Sequence, residues 1–281
     1  MTDTLRVSFA GRAGETGHAV PAAPVPGLDA SFVEHRAGRP GSRVLAHVAE
    51  HDPHVVVVFG VASLPAETVR AIGVPVVAWA TAPDRPPGLE HHPDLPDCDP
   101  RHRAGLATAA DYERVIDRPL PVADEHFATP RRTDGGPRAL VIGHSSPRLE
   151  ALLIDSKHRH EVLHVAAGLH GEALAAVLAS AEIAIDVRDD DGPGFGPRVA
   201  LYLAAGLLLL SEPLHPPGGL RPGEDHLEFR SSAELVELLH RVRADPGAFH
   251  AIREQGRLSA EALRASRVLP ELLAPFASAS A

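Results

Sequence analysis

Apolar positions along this chain fall into short, nearly continuous runs separated by amphipathic stretches. Residues 5–11, LRVSFAG, alternate and end in glycine, the pattern of a first buried strand. The stretch 11–27, GRAGETGHAVPAAPVPG, carries too many Gly and Pro residues for a helix and reads as a loop leaving the strand end. From Ser42 to His51, the apolar residues Val44, Leu45 and Val48 recur at amphipathic spacing, which predicts a helix capped by Ser42. HVVVVFG (54–60) has the β-branched continuity of a parallel strand covered on both faces. LPAETVRAI (64–72) reads as a short helix with a proline near its start, and VPVVAWA (74–80) as a third buried strand. Strands alternating with helices over short links specify a parallel sheet wrapped by helices.

Residues 83–100, PDRPPGLEHHPDLPDCDP, have no periodicity and read as an exposed loop. A short helix near 101–110 and a strand at 114–116 follow. The next stretch, RPLPVADEHFATPRRTDGGP (118–137), is broken by prolines and glycines and reads as a linker. The domain boundary is placed there, giving domains 1–125 and 126–281. The second half repeats the alternation: strand RALVIGHSS, helix PRLEALLID opened by Pro147, strand EVLHVA, helix GEALAAVLASA and strand EIAIDV. A helix from Pro197 to a left-handed stop at Gly206, strand LLLLS, short strand DHLEF and a helical tail from Ser232 complete it. Ser231 or Ser232 before Glu234, and Asp245 before Pro246, are the caps of that tail.

In open parallel sheets, ligands bind where loops leave the carboxyl ends of the strands. Four such loops stand out: 12–18, 81–85, 143–148 and 192–198. Gly194, Phe195 and Gly196 precede a helix start, where free amides and a partial positive charge favour an anion, and Arg198 in the first turn adds a full charge. Gly143, His144, Ser145 and Arg148 form the neighbouring loop, so the two loops would surround one phosphate or diphosphate. Lys157 could reach the same pocket or belong to a solvated basic cluster. His18 and Asp84, at strand ends of the first half, are candidates for a general base, and equally for turn residues.

The composition narrows the partners. The chain has 281 residues, 27 Lys and Arg against 37 Asp and Glu, and a formal net charge of -10, so nucleic acid is not an expected partner. No apolar run reaches the roughly 18 residues of a membrane span, and MTDTLRV lacks the pattern of a signal peptide, which leads to the expectation of a cytoplasmic protein. Cys98 is the only cysteine, so neither an internal disulfide nor a cysteine-built metal site is expected. His91, His92, Asp94, Asp97 and Asp99 match no standard metal spacing, and Asp189 to Asp191 read as well as a polar loop as a divalent-ion site. No metal is expected.

Taken with these landmarks, the segment from about 143 to 267 resembles the C-terminal domain of GT-B glycosyltransferases, most closely the actinobacterial and spore-maturation (CgeB-like) branch. The matching motifs are VIGHSSPR, KHRHEVLHVA, RVALYLAAGLLLLSEPL, GLRPGEDHLEF, SAELVELLHRVRADP and EQGRLSAEALRASRV, in that order. DPHVVVVFG and IGVPVVAWATAPDRP look like the family's N-terminal strands, in a shorter domain. The resemblance implies two Rossmann-like parallel-sheet domains facing a cleft, with C-terminal helices. It also implies transfer of a sugar from a nucleotide donor on the C-terminal domain to an acceptor on the N-terminal one, without a metal or other cofactor. A protein partner or homo-oligomer is a further expectation. Many members carry glutamates where Pro193 and Leu201 stand here, so an inactive GT-B-shaped binding protein is the alternative.

Overall fold

The computed structural model describes residues 4–36, 38–59, 64–79, 120–132, 136–166, 168–188, 197–214 and 219–277. The loop expected at 83–100, the helix near 101–110 and the strand at 114–116 lie outside these residues. The chain divides into two compact units, one of residues 1–125 with 263–281 and the other of residues 126–262.

The first unit is built on four parallel strands, β1 (Leu5–Gly11), β2 (Leu28–Glu34), β3 (Val55–Phe59) and β4 (Val76–Trp79), in the order β2-β1-β3-β4. The first, third and fourth are the buried runs the sequence predicts. β2 is an edge strand, LDASFVE, whose polar and half-exposed positions gave no strand pattern, although it pairs with β1 along its whole length. Helices α1 (Ala13–Thr16), α2 (Ser42–His51) and α3 (Ala66–Ala71) follow the strands. The 11–27 stretch thus contains α1 and a 3-10 turn at Gly17–Ala19 before it becomes loop. Ser42 is the first residue of α2 and not its cap; Gly41 holds the cap position, and the helix ends on left-handed Asp52 (φ 48°).

Val44 and Val48 of α2 and Val69 of α3 pack with Ala10, Val33, Val56 and Val58 on one face of the sheet. The other face, with Val7, Phe9, Val55, Val57 and Trp79, is covered by Val268, Leu269, Leu272, Leu273 and Phe276. Those residues belong to the last helix, α9 (Ala265–Ala277). The sequence reading placed the whole helical tail with the second domain; its final helix instead completes the first core. The chain's return is stitched in place, since Val122 N donates to Leu263 O (2.8 Å) and Ala265 N to Val122 O (2.8 Å). Asp124 accepts from both the amide (3.0 Å) and the hydroxyl (2.7 Å) of Ser266. The first part of the expected linker is therefore packed chain, with Leu120, Val122 and Ala123 buried.

The second unit has five parallel strands, β5 (Ala139–Ile142), β6 (Val162–Val165), β7 (Ile183–Asp186), β8 (Leu208–Ser211) and β9 (Leu227–Glu228), in the order β6-β5-β7-β8-β9. Helices α4 (Pro147–Arg159), α5 (Gly171–Ala179), α6 (Pro197–Ala204), α7 (Ser232–Ala244) and α8 (His250–Ser259) accompany them. Leu149 and Leu153 of α4 and Leu235 and Leu239 of α7 bury one face against Val141, Ile183, Ile185, Leu208 and Leu210. α6 lies against β7 and β8, and α8 packs on both α6 and β8.

The sequence signals for the helix ends hold. α6 opens at Pro197 and stops before Gly206 at φ 70°. A side chain at Gly206 would also strike Pro130 N at 2.8 Å and Ala128 O at 2.9 Å. Ser231 accepts from Glu234 N (3.2 Å) and Asp245 from Ala248 N (3.2 Å). At the amino ends of β7 and β8, the buried Arg253 of α8 donates to Gly206 O (2.9 Å), Arg131 O (2.9 Å) and Glu182 Oε2 (3.1 Å). Burial pushes its pKa down and Glu182 opposes that shift.

Truncation of α9 tests its role. Leu273 is fully buried, so Leu273→Ala should cost the first unit about 2–5 kcal/mol, read as a lower urea midpoint. An unchanged midpoint would mean that α9 does not hold that core.

Candidate functional site

In the second sheet the chain runs from β5 outward to β6 and then crosses back to β7 on the other side of β5. The loop leaving β5 leads into α4 and the loop leaving β7 into α6, so the two diverge from neighbouring strand ends. That switch point is where open α/β sheets form a ligand crevice.

The end of β5 is fixed by α6. Ile142 N donates to Tyr202 Oη at 3.1 Å, and Arg198 Nη1 donates to Ile142 O. The two side chains stand one helical turn apart, so a single helix face answers both groups of one peptide. Tyr202 is fully buried, and burial raises its pKa well above the ordinary phenol value, keeping it neutral. A Cβ at Gly143 would lie 3.0 Å from Arg198 Nη1, so a side chain there would displace that guanidinium.

The next loop is braced from below. Ser146 caps α4 by accepting from Leu149 N (3.1 Å), with Pro147 at the first helical position. Ser145 donates its hydroxyl hydrogen to Glu150 Oε1 (2.6 Å), and Lys157 donates to Glu150 Oε2 (2.8 Å). The same ammonium lies 3.1 Å from His164 Nδ1, and His164 Nε2 lies 3.0 Å from Gly143 O. An ammonium only donates and a carbonyl only accepts, so in these two contacts Nδ1 faces a donor and Nε2 an acceptor. Lys157 is in the last turn of α4, and its side chain runs back toward the helix start, as helical side chains do. Its charge is thus met by Glu150 and His164, which brace the loop after β5. Since the Ser145 hydrogen is spent on a carboxylate, what this residue presents to an anion is its backbone amide.

A third group sits at the ends of β7 and β8. Glu212, whose side chain is only 6% exposed, accepts from Arg148 Nη2 through Oε1 and from Arg188 N at 2.9 Å through Oε2. Arg148 Nη1 also donates to Arg188 O. One buried carboxylate therefore ties the first turn of α4 to the backbone beyond β7. Neither Glu212 nor Arg188 was among the residues expected from sequence. Glu212 is a lone charge just past an apolar strand, a signal that could have found it, while Arg188 is masked by the acidic run after it.

The structure brings together Gly143, Ser145, Arg148, Lys157 and Arg198. His144 is exposed on the same loop. Gly194, Phe195 and Gly196 lie outside the described residues, as does Asp84. His18 is buried on the 3-10 turn after β1, and its carbonyl accepts from Ala123 N at 2.8 Å. Among the described residues no three His, Cys, Asp or Glu side chains cluster to hold a metal ion. No helix among them is long and apolar enough to cross a membrane.

Glu150 supplies a pH test. The bonds from Lys157 and then Ser145 hold its carboxyl below the ordinary value. A depressed carboxylate adds stability above its unfolded pKa of about 4.3 and loses it as pH falls through the lower folded value. Glu150→Gln should therefore lower the urea midpoint slightly at neutral pH, by an amount that shrinks as pH falls below the ordinary carboxylate range; a pH-independent difference would contradict the pairing.

Comparison with known proteins agrees with this architecture. Residues 131–268 match a family model described as glycosyl transferase-like. No curated protein sequence matches the chain. Among solved structures, sucrose-phosphate synthase from Thermosynechococcus elongatus superposes with a TM-score of 0.60 at 11% identity, covering 98% of this chain and 100% of that one. Anabaena HepE in complex with UDP gives 0.57 at 10% identity, covering 98% and 100%. UDP-GlcNAc 2-epimerase from Neisseria meningitidis, bound to UDP-GlcNAc, gives 0.53 at 11% identity, covering 96% and 99%. The chain is thus two parallel-sheet α/β units with the GT-B fold, and its segment 131–268 matches the glycosyl transferase-like family model.

Proposed function

We propose that this protein is a glycosyltransferase that takes its sugar from a nucleotide-activated donor by a metal-independent mechanism, in the CgeB-like, actinobacterial-type branch. The carrying observation is the convergence of Arg148, Arg198 and the Gly143 loop at the β5 and β7 strand ends, within the glycosyl transferase-like segment. In the reaction the bond from the sugar's anomeric carbon to the diphosphate breaks, and a bond to an acceptor hydroxyl oxygen forms. The hydroxyl proton passes to a general base, for which His18 and Asp84 of the first unit are the candidates. The departing diphosphate gains negative charge, and guanidinium groups with helix-start amides are the groups that stabilise it. The nucleotide-sugar is a substrate, and the reading calls for no cofactor. UDP in HepE and UDP-GlcNAc in the epimerase support this donor class on this fold.

One observation favours a second reading, a GT-B-shaped protein that binds without transferring. Leu201, at the place where the family commonly has a glutamate, is buried within α6 and offers no acceptor to a sugar hydroxyl.

Thermal unfolding with UDP-, GDP- and dTDP-sugars tests both. A nucleotide at about 100 times its dissociation constant adds about 2.7 kcal/mol, a rise of several degrees. Arg198→Ala should lower the unliganded midpoint and abolish the ligand-induced rise. If no nucleotide raises the midpoint of the wild type, the donor assignment fails. A rise without turnover of any donor supports the binding protein.

A further inference from the structure

We propose that Arg188 is a further anion-contacting residue at this site, aimed at the diphosphate of the donor. The proposal rests on the reading of these strand ends as a diphosphate site and adds to it a residue outside the two loops that define it. Arg188 follows β7, the strand beside the switch point. Its backbone is clamped on both sides, the N–H by Glu212 at 2.9 Å and the carbonyl by Arg148. Its side chain is not used in that clamp. Nε is inaccessible to solvent and makes no hydrogen bond. The carboxylate oxygen paired with it among the described residues, Glu212 Oε2, is 3.9 Å away and already accepts from the Arg188 amide.

A buried guanidinium N–H without an acceptor is unusual, because desolvating a donor is unfavourable unless an acceptor replaces water. Arg148 on the same carboxylate spends two nitrogens on protein oxygens, and Arg198 one. Arg188 has its backbone fixed and its Nε–H without an acceptor among the described residues, and a guanidinium fork suits an oxyanion that brings several acceptor oxygens at once. Glu212 is the positioning residue: it sets where the Arg188 backbone lies and holds Arg148 beside it. The neighbouring acidic side chain, Asp186, closes β7 two residues earlier and contributes to the field at Tyr202, so an anion here depends on directed N–H groups more than on net charge.

Titration calorimetry with inorganic pyrophosphate tests this on the full chain, with UDP and uridine as parallel probes. Arg188→Gln keeps most of the side-chain volume and removes the fork. It should bind pyrophosphate and UDP at least tenfold more weakly than wild type, leave any uridine binding unchanged, and unfold at the wild-type temperature without ligand. Arg188→Lys should recover part of the charge and little of the affinity. Wild-type affinity for pyrophosphate in Arg188→Gln would overturn the inference while leaving the donor assignment standing. Absence of pyrophosphate binding to the wild type would also overturn it, and UDP binding would then judge the donor assignment by itself.

Discussion

One peptide group, that of Ile142, fixes the geometry on which the second unit's strand ends depend. It closes β5, and both its N–H and its carbonyl are answered by side chains of α6. A buried peptide with either group unanswered would be strongly unfavourable, so the helix cannot slide or turn without breaking one of these bonds. The choice of residues follows. A phenol in a dry site supplies a neutral acceptor for the amide, and a guanidinium one turn nearer the helix start supplies the donor. Glycine after Ile142 leaves room for that guanidinium, and the same Gly143 offers its carbonyl to His164 on the edge strand.

The charged groups at these strand ends are held before any ligand arrives. Glu150, Lys157 and His164 brace the loop after β5, and Glu212 braces Arg148 and the backbone of Arg188. Groups already held in position lose little freedom on binding and need little reorganisation as charge develops. The arrangement gives its cations separate duties. Lys157 serves the loop, whereas Arg198 both supports β5 and stands at the helix start.

What was legible in the sequence follows from periodicity. Strands buried on both faces, such as Val55–Phe59, announce themselves, and so do helix ends marked by Pro197, Gly206 and Asp245. The edge strand β2 was missed because one side meets solvent and its polar residues blur the pattern. The apolar face of α9 was visible, but a stripe says only that it is buried, not which sheet buries it. Of the candidate site, Arg148 and Arg198 were legible from their place after strand ends. Their partners Glu212, Ile142 and Tyr202 come from other elements, and only the folded sheet brings them near.

The two passages of the chain between units have a consequence for assembly. Val122 is paired with Leu263 and Ala265, so the second unit leaves and rejoins the first at a single hydrogen-bonded place. The first sheet meanwhile has α9, which follows the second unit in the chain, packed on one face. During synthesis the second unit has all its own segments before α9 emerges, whereas the first still lacks the helix that packs Val268, Leu269, Leu272, Leu273 and Phe276 on its sheet. The order of completion is therefore the reverse of the order of translation, and the amino-terminal half is the one exposed to aggregation or chaperone capture in the interval.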